Sequence, residues 1–278
     1  MAIDTPGTRS DLAPALEVQH VGKTYISRRH RIEAVGDLDF AVRSGEFVCI
    51  VGPSGAGKTT ILRCIAGLLA PTTGAIFLGG SRVDGPPTDL AVVFQEYGRS
   101  LFPWMTVRQN IEAPLKAKGL ARSERDRIAS EAIAAVGLDG SGDSYPWQLS
   151  GGMQQRTAIA RAVAFEPKVL LMDEPFAAVD AQTRADLEDL VRNVWERLGV
   201  TVVFVTHDID EAVYLGDRVL VLSKSPTYVL DDITVPLPQQ RDQLATRSLP
   251  EFADLRARVY ARIQEAKKRN PSELVETA

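Results

Sequence analysis

A glycine-rich octapeptide near the start of the chain constrains the fold more than any other feature of the sequence. Residues 52–59 are Gly-Pro-Ser-Gly-Ala-Gly-Lys-Thr, and they lie between the apolar run 47–51 and a segment of helical character, 60–68. A buried strand, a Gly-x-x-x-x-Gly-Lys-Thr loop and a helix in this order indicate a phosphate-binding loop. The pattern should arise by accident in roughly one chain in a hundred of this length.

The composition narrows the class of protein. The chain has 278 residues, 45% hydrophobic and 24% charged, which fits a globular protein of one large α/β domain or two modest ones. Its formal net charge of −4 disfavours nucleic acid as the main partner. Cys49 and Cys64 lie among apolar residues and are interpreted as reduced thiols of a cytosolic protein. Residues 1–15 are predicted to be a flexible tail, and no run approaches the ~18 apolar residues of a membrane span.

Apolar runs and helical periodicity predict the layout. Residues 47–51, 169–172 and 201–205 are continuously apolar, as expected of strands buried on both faces of a parallel sheet. Four shorter strands predict an antiparallel N-terminal sheet: 16–25, 32–42, 74–83 and 89–95. Three helices are expected later in the chain: 106–118, 123–136 with Ser123 as its N-cap, and 249–269.

The phosphate loop and a downstream pair of acids predict a nucleotide site. The backbone N–H groups of the loop can wrap a phosphate, Lys58 can reach the β- and γ-phosphates, and the Thr59 hydroxyl can take a Mg²⁺ position. Asp173 and Glu174 end the strand 169–172, and alternation gives adjacent side chains different directions. Asp173 is therefore predicted to hold Mg²⁺ and Glu174 to act as general base for water. The ATP-binding residues predicted from the loop are Gly52, Pro53, Ser54, Gly55, Ala56, Gly57, Lys58, Thr59 and Thr60.

A second segment indicates another anion-binding helix start. Residues 149–156 are Leu-Ser-Gly-Gly-Met-Gln-Gln-Arg, so a predicted helix opens with two glycines. Each glycine is about 1 kcal/mol poorer than Ala inside a helix, but glycines let backbone N–H groups approach an anion closely. One ATP needs only one such start within a single fold. The second is therefore predicted to meet the nucleotide of a partner.

With these motifs the sequence resembles the nucleotide-binding subunit of an ATP-binding cassette (ABC) transporter, and the segment 149–156 matches the signature of that family without departure. The likeness is strong over residues 16–222. It implies an α/β fold of the P-loop NTPase class, with a RecA-like parallel core sheet, an N-terminal antiparallel β-subdomain and an inserted α-helical subdomain at about 97–150. The cassette would span 16–230, followed by an extension, 231–278, with a basic helix.

The resemblance also implies a head-to-tail dimer and roles for single residues. Contacts from one subunit to the ATP of the other fall on Ser150, Gly151, Gly152 and Gln154. Tyr25 corresponds to the aromatic that stacks on adenine, Gln95 to the glutamine that joins the Mg²⁺ site to the helical insertion, and Asp180 to the aspartate of dimer communication. His207 corresponds to the γ-phosphate contact. The catalytic set is thus Glu174, His207 and Gln95, and the metal set is Thr59, Gln95 and Asp173.

Within the family, residues 101–107 and 172–184 resemble the importer group for nitrate, sulfonates, taurine and bicarbonate. In that group the first segment touches the membrane permease, so its Phe-Pro-Trp is either a docking surface or part of the small core of the insertion. The basic residues of the last helix form either a solvated face or, less readily, a contact with anionic lipid.

The expected function is that of a cytoplasmic, membrane-peripheral ATPase that powers an importer, with Mg²⁺ as cofactor. Its expected partners are a second copy, integral permease subunits and, indirectly, an extracytoplasmic solute-binding protein. Two alternatives remain at this point. A soluble cassette ATPase acting on DNA or ribosomes usually has long coiled-coil insertions, zinc modules or two cassettes in one chain. A metabolic P-loop kinase needs an acceptor-binding lid and does not need the segment 149–156.

Overall fold

The computed structural model describes residues 14–27 and 30–268. The predicted tail therefore lies outside the described residues except for Pro14 and Ala15, which belong to the first strand. The elements follow in chain order: β1 Pro14–Ile26, β2 Arg31–Arg43, β3 Phe47–Val51, α1 Lys58–Ile65, β4 Thr73–Leu78, β5 Ser81–Arg82, β6 Leu90–Val93, α2 Tyr97–Ser100, α3 Val107–Ala117, α4 Arg122–Ala135, α5 Gly151–Ala164, β7 Val169–Asp173, α6 Ala181–Leu198, β8 Thr201–Val205, α7 Ile209–Leu215, β9 Arg218–Leu222, β10 Val229–Thr234 and α8 Pro250–Lys268.

A six-stranded sheet in the order β10-β9-β3-β8-β7-β6 forms the centre of the fold. Its strands pair in parallel except β10, which runs antiparallel to β9 at one edge. Strands β3, β7 and β8 are buried at every position, which explains why their sequences are continuously apolar. The predicted parallel core is confirmed. Because these strands are parallel, the loops after β3, β6, β7 and β8 all lie at the carboxyl ends of the strands, on the same side of the sheet.

A four-stranded antiparallel sheet in the order β2-β1-β4-β5 lies over one face of this core. Its buried side chains, such as Leu16 and Leu38, join Ile50 of β3 and Ile61 of α1 in one hydrophobic cluster. The prediction that residues 89–95 belong to this sheet is wrong. β6 pairs in parallel with β7, with Ala91 opposite Leu170. Its continuous Leu-Ala-Val-Val run suits a strand covered on both faces better than an antiparallel edge.

Helices cover the other face of the core sheet. α3, α4 and α5 pack on one another around Ile111, Ile133 and Ile159, in the same cluster as Trp195 of α6. α3 begins with a capping box between Thr106 and Gln109. The N-cap predicted for α4 is wrong: the helix begins two residues earlier, after Ala121, and Ser123 lies inside its first turn.

The C-terminal part packs back on the cassette. The boundary predicted at 230/231 falls inside β10, which pairs with β9. α8 packs against α7, β9 and β10, and its arginines have carboxylate partners within the chain: Arg258 and Arg262 contact Asp231, and Arg256 contacts Asp210. These arginines are therefore neither a purely solvated face nor a free basic surface. Among the described residues, no helix is both long enough and apolar enough to cross a bilayer.

Candidate functional site

The phosphate loop connects β3 to α1 with backbone angles that require glycine. Gly55 and Gly57 have φ values of +80° and +68°. A Cβ on Gly57 would lie 3.1 Å from the Ala34 carbonyl oxygen, so this position lacks space as well as the right backbone angle for a side chain. The loop is thereby curled tightly enough for its N–H groups to face a phosphate.

Lys58 lies inside this curl. Its ammonium donates to the carbonyls of Gly52 and Pro53, at 3.0 and 3.3 Å, and its side chain is buried. Burial lowers the pKa of the amine, while the nearby carboxylates of Glu174 and Asp173 raise it. The Lys58 ammonium therefore lies at the loop, bonded to two carbonyls that a bound phosphate could replace.

Two hydroxyls from a turn that follows β9 donate hydrogen bonds to backbone carbonyls of the phosphate loop. Ser225 donates to the Gly55 carbonyl at 2.7 Å, and Thr227 donates to the carbonyls of Ala56 and Ala34 at 2.8 and 2.9 Å. Sequence reasoning missed both residues. The only available signal was that a polar turn follows an apolar strand, which in a parallel sheet ends at the same edge as β3.

Asp173 is the last residue of β7, and its buried side chain lies beside Thr59 at the end of the loop. It forms a side-chain hydrogen bond with Thr59, and burial raises the pKa of its carboxyl group. Its Oδ1 atom is buried and has no hydrogen-bond partner. A buried carboxylate oxygen without a partner, next to a Thr hydroxyl, is a donor set that suits a small divalent cation such as Mg²⁺.

Glu174, His207 and Gln95 form a cluster at the carboxyl ends of three strands. Glu174 Oε2 lies 3.0 Å from His207 Nδ1 and accepts from Gln95 Nε2 at 3.4 Å. The Glu174 side chain is 19% exposed and that of His207 is 63% exposed. A carboxylate with an imidazole on one side and an amide on the other can accept a proton from a water molecule in the cleft.

The phosphate loop, Glu174 and His207 line one cleft of about 700 Å³. Tyr25 also lines it, 42% exposed, with its hydroxyl 3.3 Å from Thr60 Oγ1. Its exposed ring is therefore accessible to a planar ligand in the cleft. The side chains that line the cleft, including Ile32, Ala34 and Ser225, which sequence reasoning missed, are Tyr25, Ile32, Ala34, Ser54, Gly55, Ala56, Gly57, Lys58, Thr59, Thr60, Glu174, His207 and Ser225.

The segment 150–154 lies outside this cleft. Ser150 caps α5 by accepting from the Met153 N–H, and Gln154 donates to the carbonyls of Pro146 and Leu149. A Cβ on Gly152 would lie 2.6 Å from Thr183 Cγ2, so a larger residue there would require the Thr183 side chain to shift. Gly151 and Ser150 are exposed. This helix start is therefore open to another molecule, and none of its residues lines the cleft of its own chain.

Asp180 lies next to this helix start and caps α6. Its carboxylate accepts from the Thr183 N–H at 3.0 Å and from the Thr183 hydroxyl at 2.6 Å, and these bonds lower its pKa. The same Thr183 packs over Gly152. The structure thus brings Asp180 and the segment 150–154 together, away from the cleft.

The segment 101–107 divides between core and surface. Leu101 is 2% exposed and belongs to the core of the helices, whereas Trp104 is 67% exposed and Phe102 38%. The two rings lie 5.6 Å apart, so they form one aromatic surface. Of the two interpretations left open for Phe-Pro-Trp, the exposure of both rings disfavours a buried core, and a docking role stays a prediction.

A parallel sheet with a phosphate loop after β3, and a pair of acids at the end of β7, two strands away beyond β8, defines a P-loop nucleotide-hydrolysing protein. The family model for ABC transporters matches residues 35–177. The chain belongs to this family. It is an ATP-binding subunit, an ATPase coupled to transport, with an ABC cassette fold.

Curated relatives and solved structures agree with this assignment. A nitrate import ATP-binding protein of Synechocystis sp. is 45% identical over 242 residues, covering 85% of this chain and 90% of that protein. A bicarbonate transport ATP-binding protein of Synechococcus elongatus is 41% identical over 255 residues, covering 90% of this chain and 38% of that protein. A dimeric ATP-binding cassette solved in a post-hydrolysis state with ADP and phosphate aligns with a TM-score of 0.71 at 34% identity, covering 79% of this chain and 98% of that one.

Proposed function

We propose that this chain powers an importer for a small anion, of the class that includes nitrate, bicarbonate, sulfonates and taurine. It would act as a dimer on the cytoplasmic side of the inner membrane, bound to integral permease subunits that receive the anion from an extracytoplasmic solute-binding protein. The observation that carries the ATPase part is the contact of Glu174 with His207, 3.0 Å apart beside the phosphate loop. The substrate class follows the relatives that import nitrate and bicarbonate.

ATP would lie along the cleft, with its phosphates on the loop 52–60. Lys58 would move its ammonium from the Gly52 and Pro53 carbonyls to the β- and γ-phosphate oxygens. The exposed Tyr25 ring, which also lines the cleft, would stack on the adenine.

Thr59, Asp173 and Gln95 would hold Mg²⁺. The unpartnered Oδ1 of Asp173 supports its part, and the hydrogen bond between Thr59 and Asp173 supports a shared site. When bound, the cation would neutralise charge that builds up on the phosphate oxygens. Deprotonated Asp173 would be favoured by that cation, which offsets the effect of burial on its pKa.

Glu174 would serve as the general base. Its Oε2 atom would accept a proton from the water that attacks the γ-phosphate, and His207 would hold the γ-phosphate and that carboxylate in line. Gln95 donates to the same oxygen, and in the chain it lies between β6 and the segment from α2 to α3 that contains Trp104. It would therefore report the state of the nucleotide to the permease.

The start of α5 would bind the ATP held by a second copy. Ser150, Gly151, Gly152 and Gln154 lie outside the cleft of their own chain, and the exposed N–H groups of this helix start suit a phosphate. Asp180, joined to Gly152 through Thr183, would carry information between the two copies.

Purification of the tagged chain with its permease tests the proposal. The complex would be solubilised from membranes of the native host and reconstituted in liposomes together with the co-purified solute-binding protein. ATP turnover and anion uptake would then be measured with nitrate, bicarbonate and taurine in turn. We expect one of these anions to raise ATP turnover and to accumulate inside the vesicles. No integral membrane protein in the complex, or turnover that none of the anions changes, contradicts the importer assignment.

A test variant and a matched control examine the contact with the permease. Trp104→Ala should lower recovery of the permease while ATP turnover of the free chain remains normal, because Trp104 lies on the aromatic surface and not in the cleft. Tyr260→Ala removes another exposed aromatic, on α8, and should leave recovery unchanged. Equal recovery from both variants would show that the 102–104 surface is not the docking site.

A further inference from the structure

The residues on both sides of His207 are held by a buried hydrogen-bond network. The Thr206 hydroxyl donates to Glu211 Oε2 at 2.6 Å and accepts from the Asp208 N–H at 3.0 Å. The Thr206 N–H donates to the Ile50 carbonyl of β3 at 3.1 Å. Asp208 in turn caps α7 by accepting from two N–H groups in its first turn. The backbone around His207 is thus fixed to the core sheet and to α7.

Arg184, in the first turn of α6, reaches this network from the neighbouring helix. Its guanidinium lies 3.3 Å from Asp208 Oδ2 and 3.5 Å from Glu211 Oε1. The Glu211 side chain is only 5% exposed and those of Arg184 and Asp208 are each 32% exposed, so water screens these charges less than at an open surface. The Arg184 N–H also donates to the Asp180 carbonyl at 2.9 Å. One residue therefore joins the start of α6 to the start of α7.

The His207 ring depends on this support because its own surroundings restrain it little. The ring is 63% exposed, and its polar contact within the described residues is the one to Glu174. Its position is therefore set mainly by the backbone from Thr206 to Asp208. Arg184 does not line the cleft, so it acts only through its neighbours.

We propose that Arg184 is a positioning residue for ATP hydrolysis: it holds Asp208 and Glu211 so that the His207 ring stays against Glu174. The inference rests on the proposed roles of His207 and Glu174. Because Arg184 follows Asp180 by one helical turn, a shift of the loop that faces the second copy would reach His207 through the same guanidinium.

ATP turnover of Arg184 variants tests the proposal, measured at pH 8, where the Glu211 carboxyl is ionised because burial raises its pKa only to about 7. Arg184→Gln should lower kcat about tenfold or more and change the KM for ATP less than about twofold, because it disturbs the catalytic geometry and not the phosphate loop. Arg184→Lys should restore part of the loss. Glu211→Gln, which retains an acceptor for Thr206, should lower kcat in the same direction. Arg197→Gln, at the exposed far end of α6, is the control and should match the wild type.

The same substitution made in a His207→Ala variant separates a positioning role of Arg184 from a general loss of structure. In His207→Ala, the change Arg184→Gln should lower kcat by less than about twofold more, because the residue that Arg184 positions is gone. In the wild-type background it should shift the imidazole NMR signals of His207 and leave those of His20 and His30 in place. A kcat loss that stays undiminished in His207→Ala would overturn the positioning role.

The outcomes also separate this inference from the proposed function. A fully active His207→Ala would refute the role of His207 itself. An impaired His207→Ala with fully active Arg184→Gln would refute only the inference. Should thermal unfolding show that Arg184→Gln does not fold, Arg184→Lys and Glu211→Gln decide: wild-type kcat in both would overturn the role of Arg184.

Discussion

Glu174 has a left-handed backbone, with φ at +43°, in a region that residues other than glycine rarely adopt. Its N–H donates to the Val205 carbonyl of the neighbouring strand at 2.8 Å, which holds this bend in place. Strain of this kind costs about 1–3 kcal/mol and persists where the surroundings fix it. The bend explains how two adjacent acids separate: Asp173 stays in the strand, while Glu174 turns into the cleft.

Glu174→Gln should retain ATP binding and lower the rate of hydrolysis about 100-fold or more, because the amide cannot accept a proton from water. The variant should also accumulate as an ATP-bound dimer. Turnover assays, nucleotide titration and size-exclusion chromatography with ATP would measure this. Glu166→Gln is the matched control, since Glu166 also has a positive φ, +51°, but is exposed outside the cleft. Normal turnover in Glu174→Gln would remove Glu174 from the base role.

Gly57→Ala should destabilise the protein by about 1–2 kcal/mol or more and weaken ATP binding, because a left-handed φ disfavours Ala and its Cβ meets the Ala34 carbonyl. Urea unfolding and nucleotide titration would measure both effects. Gly119→Ala separates the two causes: Gly119 has φ of +78° but no heavy atom within 4 Å of an added Cβ. It should show the smaller destabilisation and normal ATP binding. Equal losses in both variants would argue against crowding at Gly57.

For single residues, the sequence predicts those site residues that belong to a short contiguous motif. Lys58 and Thr59 follow from the loop, and Asp173 and Glu174 from an acid pair directly after an apolar strand. Ser225 and Thr227 could not be located in this way, because about 170 residues separate them from the loop that they brace. Only the strand order, with β9 next to β3, brings them there.

Helix α5 begins with an exposed Ser and two glycines, although glycines weaken a helix. The Ser150 hydroxyl offsets part of this cost by capping the helix. A helix start that is poor for stability, exposed, and braced on one side by Thr183 is suited to binding an anion from outside the chain.

Ser150→Arg should abolish dimer-dependent hydrolysis and leave the affinity of the monomer for ATP nearly unchanged, because the bulk lies outside the cleft. Turnover as a function of protein concentration, together with nucleotide titration, would test this. Thr106→Arg removes the corresponding cap of α3 and should cost a similar ~1 kcal/mol of stability while turnover persists. If Ser150→Arg hydrolysed ATP normally, the shared site would be refuted.

Among the elements, continuously apolar strands of the core were predictable, whereas the sheet to which β6 belongs and the start of α4 were not. The strands β3, β7 and β8 match their apolar runs closely. β6 was assigned to the wrong sheet because it has only four residues and precedes the helical insertion, so its sequence position suggested the N-terminal sheet. The start of α4 was misplaced because Ser123 suggested a cap, whereas Ala121 caps the helix without a side-chain bond.

Across the molecule, the extension after β10 is attached to α6 and α7, the helices that begin beside Asp180 and His207. Arg247 lies 2.6 Å from Glu188 of α6, and Arg241 donates to three carbonyls at the end of α7. No local pattern in the sequence predicts these contacts, since each partner is an ordinary charged or backbone group far away in the chain.

The stability of the whole chain should fall as pH rises from about 5 to 7. Burial raises the pKa of Glu211 to about 7 from a usual value of 4.5, so the folded protein keeps a proton that the unfolded chain releases. The predicted loss from this group is roughly 2 kcal/mol between pH 5 and 7, and it is complete by about pH 8. Urea unfolding at pH 5, 6, 7 and 8 would show a weaker pH dependence in Glu211→Gln. The exposed Glu131→Gln should retain the wild-type dependence; identical curves for all three proteins would contradict the shifted pKa.

The order of strands in the core sheet has a consequence for folding during synthesis on the ribosome. β3 leaves the ribosome early, but both of its neighbours in the sheet, β8 and β9, lie within residues 201–222 and are synthesised much later. At about 5–20 residues per second, roughly ten to thirty seconds pass during which this apolar strand has two open edges. A chaperone that shields it over that interval would improve the yield of folded protein. A premature stop codon before β8 would leave a fragment in which both edges of the apolar strand β3 stay unpaired and prone to aggregate.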